Sequence, residues 1–388
     1  MNINKVRPAI HFSPQKGWMN DPNGPVYFNG EYHIFFQHNP NDVCWDSMHW
    51  GHARSKDLMH WKELPIALYP DEQGMIFSGC SFVDEENITG FGSSDALPVL
   101  LFYTSHDEKT KREMQCMAYT TDMEHFYKYA GNPVIGGREG TPARDPQVFK
   151  NKILGGYSLC LTVERAVEFY HSDNLINWEK TGEFVLPGYA VQGMIECPCM
   201  FECSGMSEDK MYVLMMSMDI PESEFLKLPA EAVPHNRIMQ YFTGTFDGNT
   251  FIADKEQDKT LLVDYGPDFY AGTIFSNTKD IILIAWLGDF SPAAKKSETE
   301  KEGFKGILSF PRKLQLKKTN AGYRLCHSFI EGVKNEESVS YERITGEENI
   351  TGDKNAIAEE TVIVEESITD GCVKEVIKEG GFTAFTAL

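Results

Sequence analysis

The sequence predicts an all-β protein built as a β-propeller, and three observations carry that expectation. An Asp-led turn followed four or five residues on by Trp or Phe recurs along the chain. Ser55-Lys56-Asp57-Leu58-Met59-His60-Trp61 is echoed by Thr121-Asp122-Met123-Glu124-His125-Phe126, by Ser172-Asp173-Asn174-Leu175-Ile176-Asn177-Trp178, and loosely by Phe246-Asp247-Gly248-Asn249-Thr250-Phe251. Aromatic residues make up 12% of the 388, with 32 Gly and 19 Pro, which favours many short strands joined by turns. Helical periodicity is nearly absent. An Asp that caps a turn and an aromatic that packs back would recur once per blade. The intervals between those Asp residues, 65, 51 and 74, are uneven, which places insertions between strands. The competing reading is chance recurrence of common turn residues. Propellers bind ligands at the axis, where the innermost strand of each blade ends, so distant residues converge there.

Taken in order, the chain opens on Trp18-Met19-Asn20-Asp21-Pro22-Asn23-Gly24. Alone, Asp-Pro-Asn-Gly reads as a surface turn. Its flanks read differently: Pro25 to Phe28 and Glu31 to Phe36, joined by Asn29-Gly30, form a hairpin with a primed turn. Asp21 then stands where an apolar wall meets a pocket. Further strands are expected at Val99 to Thr104, Met117 to Thr120, Tyr157 to Thr162, Val167 to His171, Lys210 to Met218, Ile238 to Thr243 and Asp280 to Leu287. Near Leu316 the composition turns acidic and loses Trp. From Glu331 to Leu388, 14 Asp/Glu stand against 5 Lys/Arg. Val339 to Tyr341, Thr361 to Val364 and Cys372 to Ile377 alternate loosely. Residues 1–316 are therefore expected to form the propeller. Residues 317–388 read either as a small β appendage, covering the propeller or mediating self-association into a homo-oligomer, or as an acidic tail.

The formal net charge of −21 disfavours nucleic acid and anionic membranes and favours a neutral small molecule as partner. No Lys/Arg-led apolar segment opens the chain and no long apolar run follows, so neither a signal peptide nor a membrane span is expected. Nine scattered cysteines then suggest reduced thiols and a cytoplasmic location. No metal site is expected. His49 and His52 are three apart on a strand and face opposite sides, and Cys197, Cys199 and Cys203 have no partner cluster.

Three acidic motifs could carry chemistry: Asn20-Asp21-Pro22, Arg144-Asp145-Pro146 and Ile195-Glu196-Cys197-Pro198. Each is individually a common capped turn. Together they place one carboxylate per blade at the start of a strand. Two carboxylates about 5–5.5 Å apart across a glycosidic bond make a retaining glycosidase, one attacking the anomeric carbon and the other moving the proton. A third, held by Arg144, would stay ionised, since a neighbouring cation lowers an acid's pKa, and would bind sugar hydroxyls.

With these motifs the chain resembles glycoside hydrolase family 32, the invertases, fructan β-fructosidases and sucrose-6-phosphate hydrolases. The resemblance runs from about Pro8 to Leu316. Trp18 to Gly24 is similar to the family's nucleophile block, with Asp21 as nucleophile. Phe36-Gln37-His38-Asn39-Pro40, Trp50-Gly51-His52-Ala53 and Phe77-Ser78-Gly79-Cys80 resemble its next blocks. Arg144-Asp145-Pro146 resembles the transition-state-stabilising block and Glu196-Cys197-Pro198 the acid/base block. Asp268 to Ala271 and Leu308 to Arg312 match later landmarks. The resemblance implies a five-bladed propeller followed by a β-sandwich, no cofactor and no metal. It also implies a β-fructofuranosidase releasing terminal fructosyl units from sucrose or short fructans, with sucrose-6-phosphate hydrolase or a sugar-binding propeller without catalysis as alternatives. The chain departs from the family at Ile195, where an aromatic is usual, at Cys199, where Asp is common, and at Cys80, where Ser is frequent. The segment after Leu316 is also too short for a complete sandwich. A fructosyl unit presents hydroxyls and one apolar face. Asn20, Gln37, Ser78 and Arg144 suit the hydroxyls, and Trp45, Phe77, Tyr270 and Trp286 suit the walls, with core packing as each aromatic's alternative.

Overall fold

Strands pair in chain order into five successive antiparallel sheets in the computed structural model, which describes residues 6–137, 139–203, 211–288, 298–347, 361–378 and 381–388. The first blade is Gly17–Phe28, Glu31–Asn39, His49–Ser55 and Trp61–Leu68; the second is Met75–Val83, Val99–Asp107, Arg112–Thr120 and Tyr127–Lys128. The third is Ala143–Lys150, Tyr157–Val163, Ala166–Ser172 and Glu179–Val185. The fourth is Met194–Cys203, Met211–Asp219, Arg237–Phe246 and Phe251–Ala253; the fifth is Phe269–Ile274, Ile281–Leu287, Arg312–Thr319 and Gly322–Phe329. The expected boundary at Leu316 falls inside a strand of the fifth blade. That blade runs on to Phe329 because Leu316 pairs with Leu325.

Each neighbouring pair of blades shares one apolar core. Leu101 packs with Val26, Phe35 and Trp50 of the first blade, while the adjacent Leu100 packs with Leu159 and Leu161 of the third. Both faces of an inner strand are therefore buried, and Val99 to Tyr103 reads as a continuous apolar run rather than an alternation. The ring closes where Gly17 and Trp18 pair in parallel with Phe304 and Lys305, and Leu308 N donates to Phe12 O at 2.8 Å.

The recurring turn joins the third and fourth strands of the first four blades. Asp57, Asp122 and Asp247 each accept backbone N–H bonds from residues two and three ahead. In the third blade the capping residue is Asn174, not Asp173: Asn174 Oδ1 accepts from Ile176 N and Asn177 N. This is the Asx-turn chemistry that both side chains share.

Beyond the propeller, Ser340–Glu347, Thr361–Asp370, Val373–Lys378 and Thr383–Ala387 form a separate antiparallel sheet. It docks through Ile368, Ile377 and Ala384 against Ile10, Phe310 and Phe329. A buried ion network accompanies this contact. Arg312 pairs with Asp264 at 2.7 Å and with Glu375, and His11 lies between Asp370 at 2.8 Å and Glu375 at 3.1 Å. All nine cysteines are free thiols. No helix among the described residues is long and apolar enough to cross a membrane.

Candidate active site

The first strand of every blade carries the same irregularity where it reaches the axis. Two residues oppose one on the second strand: Asn20 and Asp21 face Gln37, Phe77 and Ser78 face Thr104, and Asp145 and Pro146 face Leu161. Cys197 and Pro198 face Met216, and Ala271 and Gly272 face Ala285. A bulge kinks its strand and re-aims side chains. Asp145, Cys197 and Ala271 take left-handed φ values of 63°, 47° and 52° there, conformations that non-glycine residues hold only when their surroundings fix them.

Five kinked strands thus deliver side chains into one cavity of about 360 Å³ at the axis. Asn20, Asp21, Gln37, Trp45, Phe77, Ser78, Arg144, Asp145, Glu196 and Tyr270 all line it. Trp286 does not. It is 1% exposed and packs behind the wall against Trp18, ring centroids 6.0 Å apart, and Tyr270. Its alternative, core packing, is what the structure contains. His106, Glu113 and Arg237 also line the cavity. Sequence reasoning missed them because Glu113 and His106 flank an ordinary hairpin turn and Arg237 follows a 17-residue connection, with no motif around any of the three. A groove of about 670 Å³ between the fourth and fifth blades is larger, but it is lined mainly by lysines and apolar residues and holds two carboxylates, Glu202 and Asp280.

Both oxygens of Asp21 are held. Ser78 Oγ donates to Oδ2 at 2.7 Å and Asn20 Nδ2 to Oδ1 at 3.0 Å, while Trp18 Nε1 fixes Asn20 Oδ1 at 2.8 Å. Asp145 Oδ2 accepts from Cys197 N at 2.9 Å, which ties the third blade's bulge to the fourth's. Glu196 sits between two donors, Arg144 Nη2 at 3.0 Å on Oε1 and Tyr270 OH at 2.6 Å on Oε2. Trp45 packs edge-on to Phe77, centroids 5.9 Å apart, forming one wall. Gln37 lines the cavity, and its Nε2 is buried without a hydrogen-bond partner among the described residues. A buried unpaired donor is costly, which suits a group meant for a ligand oxygen.

Burial raises the pKa of Asp21; Ser78 and Asn20 oppose the rise, the charge of Glu196 adds to it, and Arg237 opposes it. Burial also pushes Asp145 up to about 7 against the pull of Arg144, and the charges of Glu196 and Asp21 add to the rise. Arg144 does pull Asp145 down, as expected, but burial outweighs that pull. Its Nε lies 4.0 Å from Asp145, while its terminal nitrogens go to Glu196 and Glu113. Burial and the nearby Glu196 hold the Tyr270 phenol protonated, so it acts as donor. Burial and three carboxylates likewise keep Cys197 a thiol. The arrangement combines a clamped carboxylate with a second carboxylate held by a cation and a phenol, facing open cavity. Among the described residues no group of three or more His, Cys, Asp or Glu is placed to hold a metal.

Residues 11–327 match the sequence profile of the glycosyl hydrolases family 32 N-terminal domain. The chain is 36% identical over 338 residues to a levanase of Bacillus subtilis, covering 86% of this chain and 48% of that protein. It is 34% identical over 325 residues to an invertase of Schizosaccharomyces pombe, covering 80% of this chain and 53% of that protein. It thus spans about half the length of these curated relatives. The fold superposes on the crystal structure of an exo-inulinase from Aspergillus awamori with a TM-score of 0.81 at 25% identity, covering 100% of this chain and 93% of the other.

Proposed function

The chain belongs to glycosyl hydrolase family 32, and from that premise we propose that it is a retaining β-fructofuranosidase releasing terminal β-D-fructofuranosyl residues from sucrose or short fructans. The observation that carries the reading is the convergence of Asp21, Asp145 and Glu196 in one cavity, each with donors suited to a different role. In this reading Asp21, its carboxylate oriented by Ser78 and Asn20, attacks the anomeric C2. Glu196 protonates the departing oxygen and then takes a proton from the water that releases fructose. Asp145, in its ionised form, accepts bonds from fructosyl hydroxyls that tighten as positive charge develops on the ring. Gln37 supplies a donor to the same ring, and Trp45 and Phe77 give it an apolar wall.

Nine unpaired cysteines support a reducing, cytoplasmic setting. Sucrose-6-phosphate belongs in the substrate panel because Arg237 adds a second cation to the cavity, suited to a phosphorylated leaving group. The test is release of reducing sugar from sucrose, sucrose-6-phosphate, 1-kestose, inulin and levan, with the product anomer followed by early NMR. β-Fructofuranose appearing first is expected from double displacement. α-Fructofuranose first, or no release from any of the five, overturns the reading.

A further inference from the structure

Behind the acids lies a chain of contacts that the proposed chemistry leaves unused. Arg144 divides its guanidinium between two carboxylates. Nη2 meets Glu196 at 3.0 Å, and Nη1 meets Glu113 at 3.3 Å to Oε2 and 3.4 Å to Oε1. Glu113 is 4% exposed and belongs to the second blade, whereas Arg144 belongs to the third. Glu113 Oε2 also accepts from Ala143 N at 2.8 Å, the amide just before Arg144. His106 Nδ1 meets Glu113 Oε1 at 3.2 Å, and the His106 ring lies flat on Phe77, centroids 4.4 Å apart and planes 8° apart. Phe77 is part of the cavity wall.

We propose that Glu113, braced by His106, is a positioning residue that sets Arg144 between the second and third blades so that its outer nitrogen stays on Glu196. Four contacts point the same way. The carboxylate holds both the side chain of Arg144 and the backbone leading into it. The imidazole holds the carboxylate. The Phe77 stack holds the imidazole. A buried anion behind Arg144 also shares its positive charge, so Glu196 and Asp145 meet only part of it. Glu113 can do this because it remains charged. Burial alone would raise its pKa, but His106, Arg144 and the Ala143 amide hold it below the usual range. The groups facing this pair are His106, Arg144, Asp145 and Glu196, with Tyr270 on the far side of Glu196. The inference deepens the proposed function and rests on it for its kinetic consequences.

The test uses Glu113→Gln, Glu113→Ala and His106→Asn in the full chain, with thermal unfolding recorded for each. Glu113→Gln keeps the shape but removes the charge, leaving more of Arg144's charge on the catalytic acids. The alkaline limb of the kcat/KM profile then moves to lower pH, and kcat falls by up to about 10²-fold, the scale of misplacing a catalytic group by roughly 1 Å. His106→Asn can still place an amide N–H near the Nδ1 position but loses the stack on Phe77, so kcat falls, though by less than in Glu113→Gln. A crystal structure of Glu113→Ala gives an activity-independent reading, in which Arg144 leaves its place on Glu196. An unmoved guanidinium overturns the inference whether or not any sugar is cleaved. Active wild type with an unmoved pH limb and unchanged kcat in Glu113→Gln also overturns it. Wild type inactive on the whole panel overturns the proposed function instead.

Discussion

At the scale of single residues, the pairing of Asp21 with Glu196 separates catalysis from mere binding. Glu196→Gln keeps the shape and one of the two acceptors that Arg144 and Tyr270 use, but cannot transfer a proton, which typically costs about 10²–10⁴-fold in rate. Asp21→Asn leaves no nucleophile and should be at least as damaging. An aryl β-fructofuranoside needs little help to leave, so it should partly rescue Glu196→Gln and not Asp21→Asn. Measured kcat values on sucrose and on the aryl substrate check this, and equal rescue of both variants would mean that the roles are misassigned. Asp145 makes a second prediction. Its pKa is raised from 3.8 to about 7, so the stability tied to its proton is complete below pH 3.8 and lost as pH rises through 7. Above that the folded protein carries a buried carboxylate at a cost. Asp145→Asn should therefore raise the unfolding free energy more at pH 8 than at pH 4, by on the order of 1–4 kcal/mol, while abolishing activity. An equal change at the two pH values would refute it.

At the scale of elements, the bulge is the unit that builds the cavity, and its neighbours are closely packed. A Cβ on Gly79 would lie 2.0 Å from Phe102 O, on the strand that Gly79 pairs beside. Gly79→Ala must push the first two strands of the second blade apart and displace Ser78 from Asp21. A loss of about 1–3 kcal/mol is expected, with a larger proportional loss of kcat than of stability. Gly136→Ala is the control, because a Cβ there meets nothing within 4 Å. Equal behaviour of the two variants in unfolding and turnover would show that the strand absorbs the methyl group.

At the scale of the whole molecule, the terminal sheet is held by charges that it donates to the propeller. Glu375 is buried against both Arg312 and His11, and Asp370 accepts from the amides of Ala9, Ile10 and His11. Removing one partner of a buried ion pair strands the other, at about 3–5 kcal/mol, so Glu375→Gln should lower the melting temperature steeply. Deleting Glu331 to Leu388 should do so further, and the elution volume of that variant will tell whether the sheet also mediates self-association. Burial alone would lower His11, but Asp370 and Glu375 raise it from 6.5 to about 9. Its stabilisation is complete below pH 6.5 and is lost as pH rises through 9. His11→Gln should flatten the fall in melting temperature across that interval, and an unchanged slope would remove His11 from the account.

Much of this protein is legible in the amino-acid sequence because the signals are local. The capped turns need only residues within a heptapeptide, the inner strands need only an apolar run, and the three acidic motifs need only their neighbours. Asp173 is mistaken for Asn174 for the same reason: two adjacent side chains suit the turn, and only backbone register selects one. The tertiary structure decided the rest. It kinked the first strand of every blade at the axis, placed Glu113, His106 and Arg237 in the cavity, and turned Trp286 into the core. It also carried the fifth blade past Leu316 to Phe329 and gave Arg144 to Glu196 and Glu113. These outcomes depend on contacts between segments tens to hundreds of residues apart. A carboxylate's protonation is set by how much of the rest of the chain removes it from water, and no window of sequence around Asp145 contains that quantity.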